Sequence, residues 1–567
     1  MDNRLAGGAV RPTLLLAFLL LAAGTPRLHA QSARDAAPAI PLTSAAETPT
    51  PVPPDEQLEA EGAVIGEVEV RVRDVFDPGD PREDRRLFRF ANRLHRTTRE
   101  SVIASQLLFR PGDRYSRRVL DESERLLRSD RYLRDAEIRP IRYRGNRVDL
   151  VVVTQDIWTV NAGLSFGRKG GANSTGFKLQ DINLLGTGKS LTLQRSDGVD
   201  RSETLFRYDD HEVLGSRFQL GLGYSSNSDG SDRRIDLGRP FFSLDSRWAA
   251  GFSAVDDDRV DSLYSLGQVT GRFRHHQESF ELRGGLSRGL VDGEARRLSA
   301  GFTFRRDRFA PAEGFGSPSP LPADRTLSYP WIAFDAVEDE FLEARDLDQI
   351  HRTEDFHLGR ELHLRLGWSS PPFGADANAA IFDATATRGV RPGERQTLLL
   401  SSDLSGRWSS GGAEDLRLGG SARYYLRDFG DQLFFATLTG DVARNLDPEH
   451  QLLLGGDNGL RGYPLRYQAG DARLLLTLEQ RFFTDFYPFR LFRVGGAIFF
   501  DAGRTWGSDP AGEAARLGLL RDVGIGVRLA SSRSGLGSVI HLDLAFPLDG
   551  DGSIRRTQWL VTTKTGL

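Results

Sequence analysis

The chain is predicted to fold as an all-β, antiparallel transmembrane barrel preceded by a small α+β module. Three observations carry that expectation. From Thr159 to Leu567 the sequence runs as segments of roughly ten residues that alternate apolar and polar, separated by Gly, Asp, Asn and Ser clusters. The first thirty residues have the layout of an export signal. No later stretch approaches the ~20 consecutive apolar residues that a membrane helix needs. The mean hydropathy of −0.38 agrees. It excludes a helical membrane protein but not a barrel, whose strands face lipid on one side and a wet lumen on the other.

In chain order, residues 1–30 supply Arg4 and Arg11, the apolar run TLLLAFLLLAA and a cleavage-like Leu28-His29-Ala30, and are expected to be removed on export. Residues 31–62 (PAIPLTSAAETPTPVPPDEQ within them) are rich in Ala, Pro, Thr and Glu and read as a disordered tether that buries no core. The 567 residues leave room for at least two further domains. There is no cysteine, so thiolate and disulfide chemistry are excluded. The net charge of −4, from 74 basic and 78 acidic residues, gives no bias toward nucleic acid.

Residues 63–158 read as a separate α+β module. VIGEVEVRVRDVF alternates as a strand. RESVIASQLLF is a short helix ended at Gly112-Asp113, and SRRVLDESERLLRSD a second helix with Val119, Leu120, Leu126 and Leu127 toward one side. AEIRPIRYRG and NRVDLVVVTQDIW close the module as a hairpin across Gly145-Asn146.

Within residues 159–567, parity sorts the side chains. In ELHLRLGW, Leu362, Leu364, Leu366 and Trp368 oppose Glu361, His363 and Arg365. In ARLLLTLEQRFF, Leu474, Leu476, Leu478 and Phe482 oppose Arg473, Glu479 and Arg481, and in LFRVGGAIFFDAG, Phe492, Val494, Ile498 and Phe500 oppose Arg493 and Asp501. Glu479 and Asp501 therefore point into the lumen from neighbouring strands. Arg528, His541 and Asp543 follow on the same polar side. A soluble sandwich would alternate similarly; the export signal, the number of strands and a strand at the chain's end favour the barrel.

One stretch breaks the alternation. Gly455 to Asp471, GGDNGLRGYPLRYQAGD, holds Gly455, Gly456, Gly459 and Gly462 around a single Arg461, followed by Tyr463. Its composition alone describes a long hairpin loop. The string Gly459-Leu460-Arg461-Gly462-Tyr463, however, resembles the (V/I)RG(F/Y) signature in the long loop of the BamA/TamA family of outer-membrane assembly barrels. FFDAG, Phe499 to Gly503, resembles that family's second signature. FKLQDINLLGTGKSLTLQ is similar to its second and third strands, and the module with FRPGDRY between its helices resembles a single POTRA domain.

The resemblance implies a barrel of sixteen strands, of which seven can be placed before Arg259 and five after the glycine-rich loop; more candidates than the remaining four fall between Asp261 and Asn445. It implies that Arg461 folds back to pair with Glu479 and Asp501, where a planar guanidinium suits two carboxylates better than an ammonium would, with Gly459 and Gly462 allowing close approach and Tyr463 packing on the wall. It also implies a weak seam between the first strand (Val160 to Gly167) and the last, which carries Trp559 and Leu567. Such an edge is a template for an incoming strand. The implied function is insertion or translocation of other polypeptides from a bacterial outer membrane, with the POTRA module in the periplasm taking extended segments of unfolded outer-membrane or secreted chains on a sheet edge. The implied partners are outer-membrane lipid, those chains and accessory periplasmic proteins. A secretion pore for one exoprotein, and a structural surface antigen or porin, are the alternatives. No Walker loop, HExxH or GxSxG occurs, and neither catalysis, a metal nor a cofactor is expected. His275-His276 and the Asp256–Asp258 run are expected as solvated surface.

Overall fold

The computed structural model describes residues 52–564 except 315, 319, 428–429, 431, 508–516, 535–538 and 551. The export signal, most of the tether and Leu567 lie outside the described residues.

The N-terminal domain comprises α1 (Asp55–Ala60), β1 (Val64–Arg73), α2 (Arg86–Leu94), α3 (Glu100–Gln106), α4 (Arg117–Ser129), β2 (Leu133–Arg144) and β3 (Arg147–Asp156). Its sheet has the order β1-β3-β2, with β1 parallel and β2 antiparallel to β3. Ile65, Ile103, Leu120, Leu127, Ile138 and Leu150 are buried together between sheet and helices. Two expectations need correction. The tether does not run to residue 62, because Leu58 of α1 is wholly buried in this core. And α2, absent from the predicted order, folds between β1 and α3 because Phe88 has a partner in Phe76, with ring centroids 4.3 Å apart.

The remainder closes into one antiparallel barrel. Its first seven strands are β4 (Val160–Lys169), β5 (Ala172–Asp181), β6 (Lys189–Asp197), β7 (Ser202–Asp210), β8 (Gln219–Asn227), β9 (Gly230–Arg239) and β10 (Trp248–Ser265). Then come β11 (Gln268–Val291), β12 (Glu294–Pro311) and β13 (Arg325–Glu338), a separate hairpin that does not join the wall, formed by β14 (Phe341–Arg345) and β15 (Thr353–His357), and five more wall strands, β16 (Glu361–Ser369), β17 (Ala379–Gly393), β18 (Gln396–Ser409), β19 (Gly412–Arg427) and β20 (Gln432–Arg444). The glycine-rich loop carries the short pair β21 (Leu452–Leu454) and β22 (Gln468–Gly470). The wall ends with β23 (Ala472–Phe483), β24 (Phe492–Trp506), β25 (Leu520–Ser531), β26 (Val539–Pro547) and β27 (Gln558–Lys564).

The barrel has twenty strands, not sixteen. The counts at both ends agree with the sequence; the middle holds eight strands where the resemblance left room for four. None of these can be a loop hairpin, since each pairs on both sides within the closed wall. Several present exposed outward residues, such as Leu282, Leu298, Ile332, Leu366, Trp408 and Leu438. The outer surface as a whole is a belt of exposed Leu, Ile, Val, Phe and Trp, which in water would be a large liability and which lipid satisfies. Wall height is uneven. β4 to β9 are 9–10 residues long, close to what a bilayer requires, whereas β11 runs for 24 and rises well beyond it at about 3.4 Å per residue.

Candidate functional site

The glycine-rich loop leaves the wall at the end of β20, on the rim opposite the N-terminal domain, and turns back inside. Two glycines explain how close it comes. Gly459 sits at φ +128°, and a Cβ there would lie 2.2 Å from Leu475 Cδ2; at Gly462 a Cβ would lie 2.7 Å from Asp522 Cβ. Upstream, the Gly455 amide donates to Asn458 Oδ1 (2.6 Å) and the Gly456 amide to Pro464 O (2.8 Å), which rounds the tip. Tyr463 is wholly buried with Leu454, Leu460, Tyr467, Leu520 and Ile554. Its hydroxyl donates to Arg521 O (2.7 Å) and accepts from the Arg521 amide (3.1 Å).

Between these anchors, Arg461 spans two strands. Its Nε and Nη2 donate to Asp501 Oδ2 (2.7 Å) and Oδ1 (2.9 Å), and Nη1 donates to Glu479 Oε1 (2.7 Å). The guanidinium lies 3.4 Å from the Phe499 ring centroid. β23 and β24 bring the two acids together because Thr477 pairs with Asp501 and Glu479 with Phe499 in register. Arg461, Glu479 and Asp501 are 7%, 3% and 0% exposed, so this is a dry ion cluster in which every partner matters. The resemblance of the loop motif brings Arg461 to Glu479 and Asp501, and sequence parity points those two acids into the lumen. It did not reach Phe499, whose inward position follows from the same parity as Asp501, nor Asp522, which accepts from the Gly462 amide at 3.0 Å across the next strand pair. Arg481 Nε donates to Glu479 Oε2 (3.0 Å), and Arg528 pairs with Asp543.

A second element enters from the domain side. Residues 346–352, the tip of the β14–β15 hairpin, lie in the lumen. Leu347 is buried against Tyr425, Leu433 and Phe435, and Ile350 against Ala530 and Val539. Arg481 Nη1 donates to Leu347 O (2.9 Å), and Tyr425 Oη to Asp348 (3.0 Å). Arg481 thus touches the hairpin tip with one nitrogen and the acid held by Arg461 with another. From Arg352 into β15 the hairpin is tied to the N-terminal domain: Arg128 donates twice to Asp355 (2.8 and 2.6 Å), Arg352 donates to Leu133 O (3.2 Å) and Thr353 to Asp135 (3.2 Å). A continuous set of polar contacts therefore runs from α4 through the hairpin to the loop arginine.

The domain's two sheet edges differ. On β2, Glu124 accepts from the Ile138 amide (2.7 Å), Arg117 donates to Ile138 O (2.9 Å) and Arg128 to Ala136 O (3.2 Å). α4 and the hairpin thus already occupy that edge from Leu133 to Ile138. On β1, among the described residues, only β3 pairs with the backbone from Val68 to Val72.

The junction that closes the barrel is the thinnest. Among the described residues, β27 and β4 share one registered pair, Val561 with Arg168, against seven between β26 and β27 and ten between β4 and β5. Side chains span the gap instead: Trp559 stacks on Phe166 with centroids 6.1 Å apart, and the Arg168 guanidinium lies 4.6 Å from the Trp559 ring. Val160 and Gly167 lie on β4 as expected.

One group departs from expectation, and a second is not singled out by the sequence. His275 is not solvated: it is 1% exposed between Asp261 (2.8 Å) and Asp307 (2.9 Å) inside the wall. Asp415, Asp447 and His450 converge at the far rim, but Arg417, Arg407 and Arg325 already match the two carboxylates.

No family model and no curated protein matches the chain. Among solved structures it is similar to BamA from Haemophilus ducreyi lacking POTRA domains 1–3, at 14% identity over 88% of this chain and 85% of that one, TM-score 0.37. It is also similar to CdiB from Escherichia coli, at 13% identity over 88% and 76%, TM-score 0.47. A third is the FrpB iron transporter from Neisseria meningitidis, at 8% identity over 74% and 76%, TM-score 0.38. All three scores lie below 0.5.

Proposed function

We propose that this protein is an outer-membrane barrel that inserts or translocates other polypeptides, using the β4–β27 seam as the strand template and the N-terminal domain, on the periplasmic side, to receive extended segments. The observation that carries the reading is that the described residues form a single registered pair at the seam, beside a loop held inside by Arg461. Backbone groups left unpaired at such an edge are costly in hydrocarbon, and an incoming strand satisfies them. The substrate segment would add to β1 of the N-terminal domain, since β2 is already engaged by α4 and the hairpin. A passive porin is disfavoured because the lumen is entered from both ends by anchored segments. Translocation of one dedicated exoprotein is the second reading; the hairpin tip occupies lumen that a passing chain would need, and its tie to the N-terminal domain through Arg128 and Asp355 would let that domain withdraw it when a chain is taken up.

The test is depletion followed by outer-membrane proteomics. Loss of several other barrel proteins supports insertion, loss of one exoprotein supports dedicated translocation, and an unchanged proteome contradicts both.

A further inference from the structure

We propose that α2 is a membrane-surface contact through which the N-terminal domain rests on the phospholipid leaflet beside the barrel. The inference rests on the membrane-spanning reading of the barrel and adds a lipid-binding surface to the N-terminal domain.

The sequence of α2, RLFRFANRL, places Leu87, Phe90 and Leu94 at i, i+3 and i+7, within an arc of about 60° on one face. They are 69%, 57% and 59% exposed, an unusual cluster of large apolar groups for a domain surface. The helix cannot roll to hide them. On its other side Phe88 is buried on Phe76, and Asn92 is tied to the Phe76 backbone in both directions, accepting from the amide (3.2 Å) and donating to the carbonyl (2.8 Å). Arg86, Arg89 and Arg93 are exposed along the edge of the apolar face. That is the arrangement of an interfacial helix, in which long basic side chains reach phosphate while the apolar face enters the acyl boundary.

The position on the barrel names the occupant. The cluster of Val75, Phe76 and Phe88 packs against Leu491 in the β23–β24 turn, Arg490 pairs with Asp80 (3.3 Å) and Arg533 donates to Val75 O (2.7 Å). This turn exposes Phe486 (65%) and Phe489 (78%). Two other turns on the same rim expose Leu185 and Leu214, each, like Phe489, at a φ of 54° that holds the side chain away from the wall. The cluster under α2 is thus anchored on a rim turn with exposed phenylalanines, and on this proposal the apolar face of the helix extends the lipid-facing belt where that rim meets the headgroups.

Because the chain has no cysteine, single-cysteine variants carrying an environment-sensitive fluorophore test this directly in phospholipid vesicles. Leu87→Cys, Phe90→Cys and Leu94→Cys are compared with Ile332→Cys on the barrel exterior and Arg144→Cys on the far hairpin of the domain. The expected result is blue-shifted emission at all three helix positions, with quenching by spin-labelled phospholipid at least several-fold above that at Arg144→Cys. Quenching at Ile332→Cys alone overturns the α2 contact and leaves the barrel reading standing. Absence of quenching at Ile332→Cys sinks the membrane-spanning reading and this inference with it. Blue-shifted helix probes that lipid quenchers do not reach mean that protein covers α2, which also overturns the proposal.

Discussion

Replacing Arg461 would take a partner from two carboxylates at once, because its three bonded nitrogens divide between Asp501 and Glu479; Glu479 keeps Arg481, whereas Asp501 loses its guanidinium. In so dry a cluster, loss of one partner costs on the order of 3–5 kcal/mol. Arg461→Ala should therefore lower the fraction of protein running as folded barrel in unheated electrophoresis and open the 455–471 loop to protease, and Arg461→Lys should restore only part, lacking the planar fork. Wild-type behaviour of both variants would contradict the latch. Glu124 makes a separate prediction in the N-terminal domain. Burial raises its carboxyl from 4.5 to about 7, against the pull of Arg117 and Arg128. The folded domain then holds that proton more tightly than the unfolded chain, so the associated stability is present below pH 4.5 and is lost as pH rises toward 7. Urea resistance of the domain in the full chain, followed by proteolysis, should fall across that window, and Glu124→Gln should flatten the dependence. At this scale the sequence was informative where parity sufficed. Arg461, Glu479 and Asp501 were legible from alternation plus one motif, whereas Asp522 required the register between β24 and β25, which no local pattern encodes.

Among the elements, the β14–β15 hairpin has the most to lose from a small change, since its tip buries Leu347 and Ile350 on the inner wall. Replacing residues 346–352 with a short glycine linker should leave the twenty-strand wall folded and raise conductance in planar bilayers several-fold; unchanged conductance would show that the tip does not obstruct the lumen. Asp135→Cys with Thr353→Cys, joined by a reversible cross-link, should hold the hairpin to the domain and suppress substrate handling until reduced. This hairpin was hidden in the sequence because its two strands have five residues each, too few for a period to emerge. α2 was missed for a related reason: its apolar positions are interleaved with arginines after the charged run DPREDRR, and only the tertiary partner Phe76 selects the helix. The strands near both ends were legible because they are about one membrane thickness long and bounded by turn residues. The tall middle strands were harder to count, and a family number stood in for counting.

At the scale of the whole molecule, a twenty-strand wall is entered from the far rim by the glycine-rich loop and from the domain rim by the hairpin. The two meet through Arg481 and Glu479, while the seam between β4 and β27 is, among the described residues, the least-paired junction in the cylinder. On the proposed function, this junction must open for the protein to work. The paired residues Val561 and Arg168 permit a direct measurement: a Val561→Cys, Arg168→Cys variant, oxidised to a disulfide and reconstituted in vesicles, assayed for insertion of a second, unfolded barrel protein. Insertion should be lost in the oxidised protein and return on reduction, with the cysteine-free parent indifferent to both treatments. Equal insertion by the oxidised and reduced forms would contradict the account.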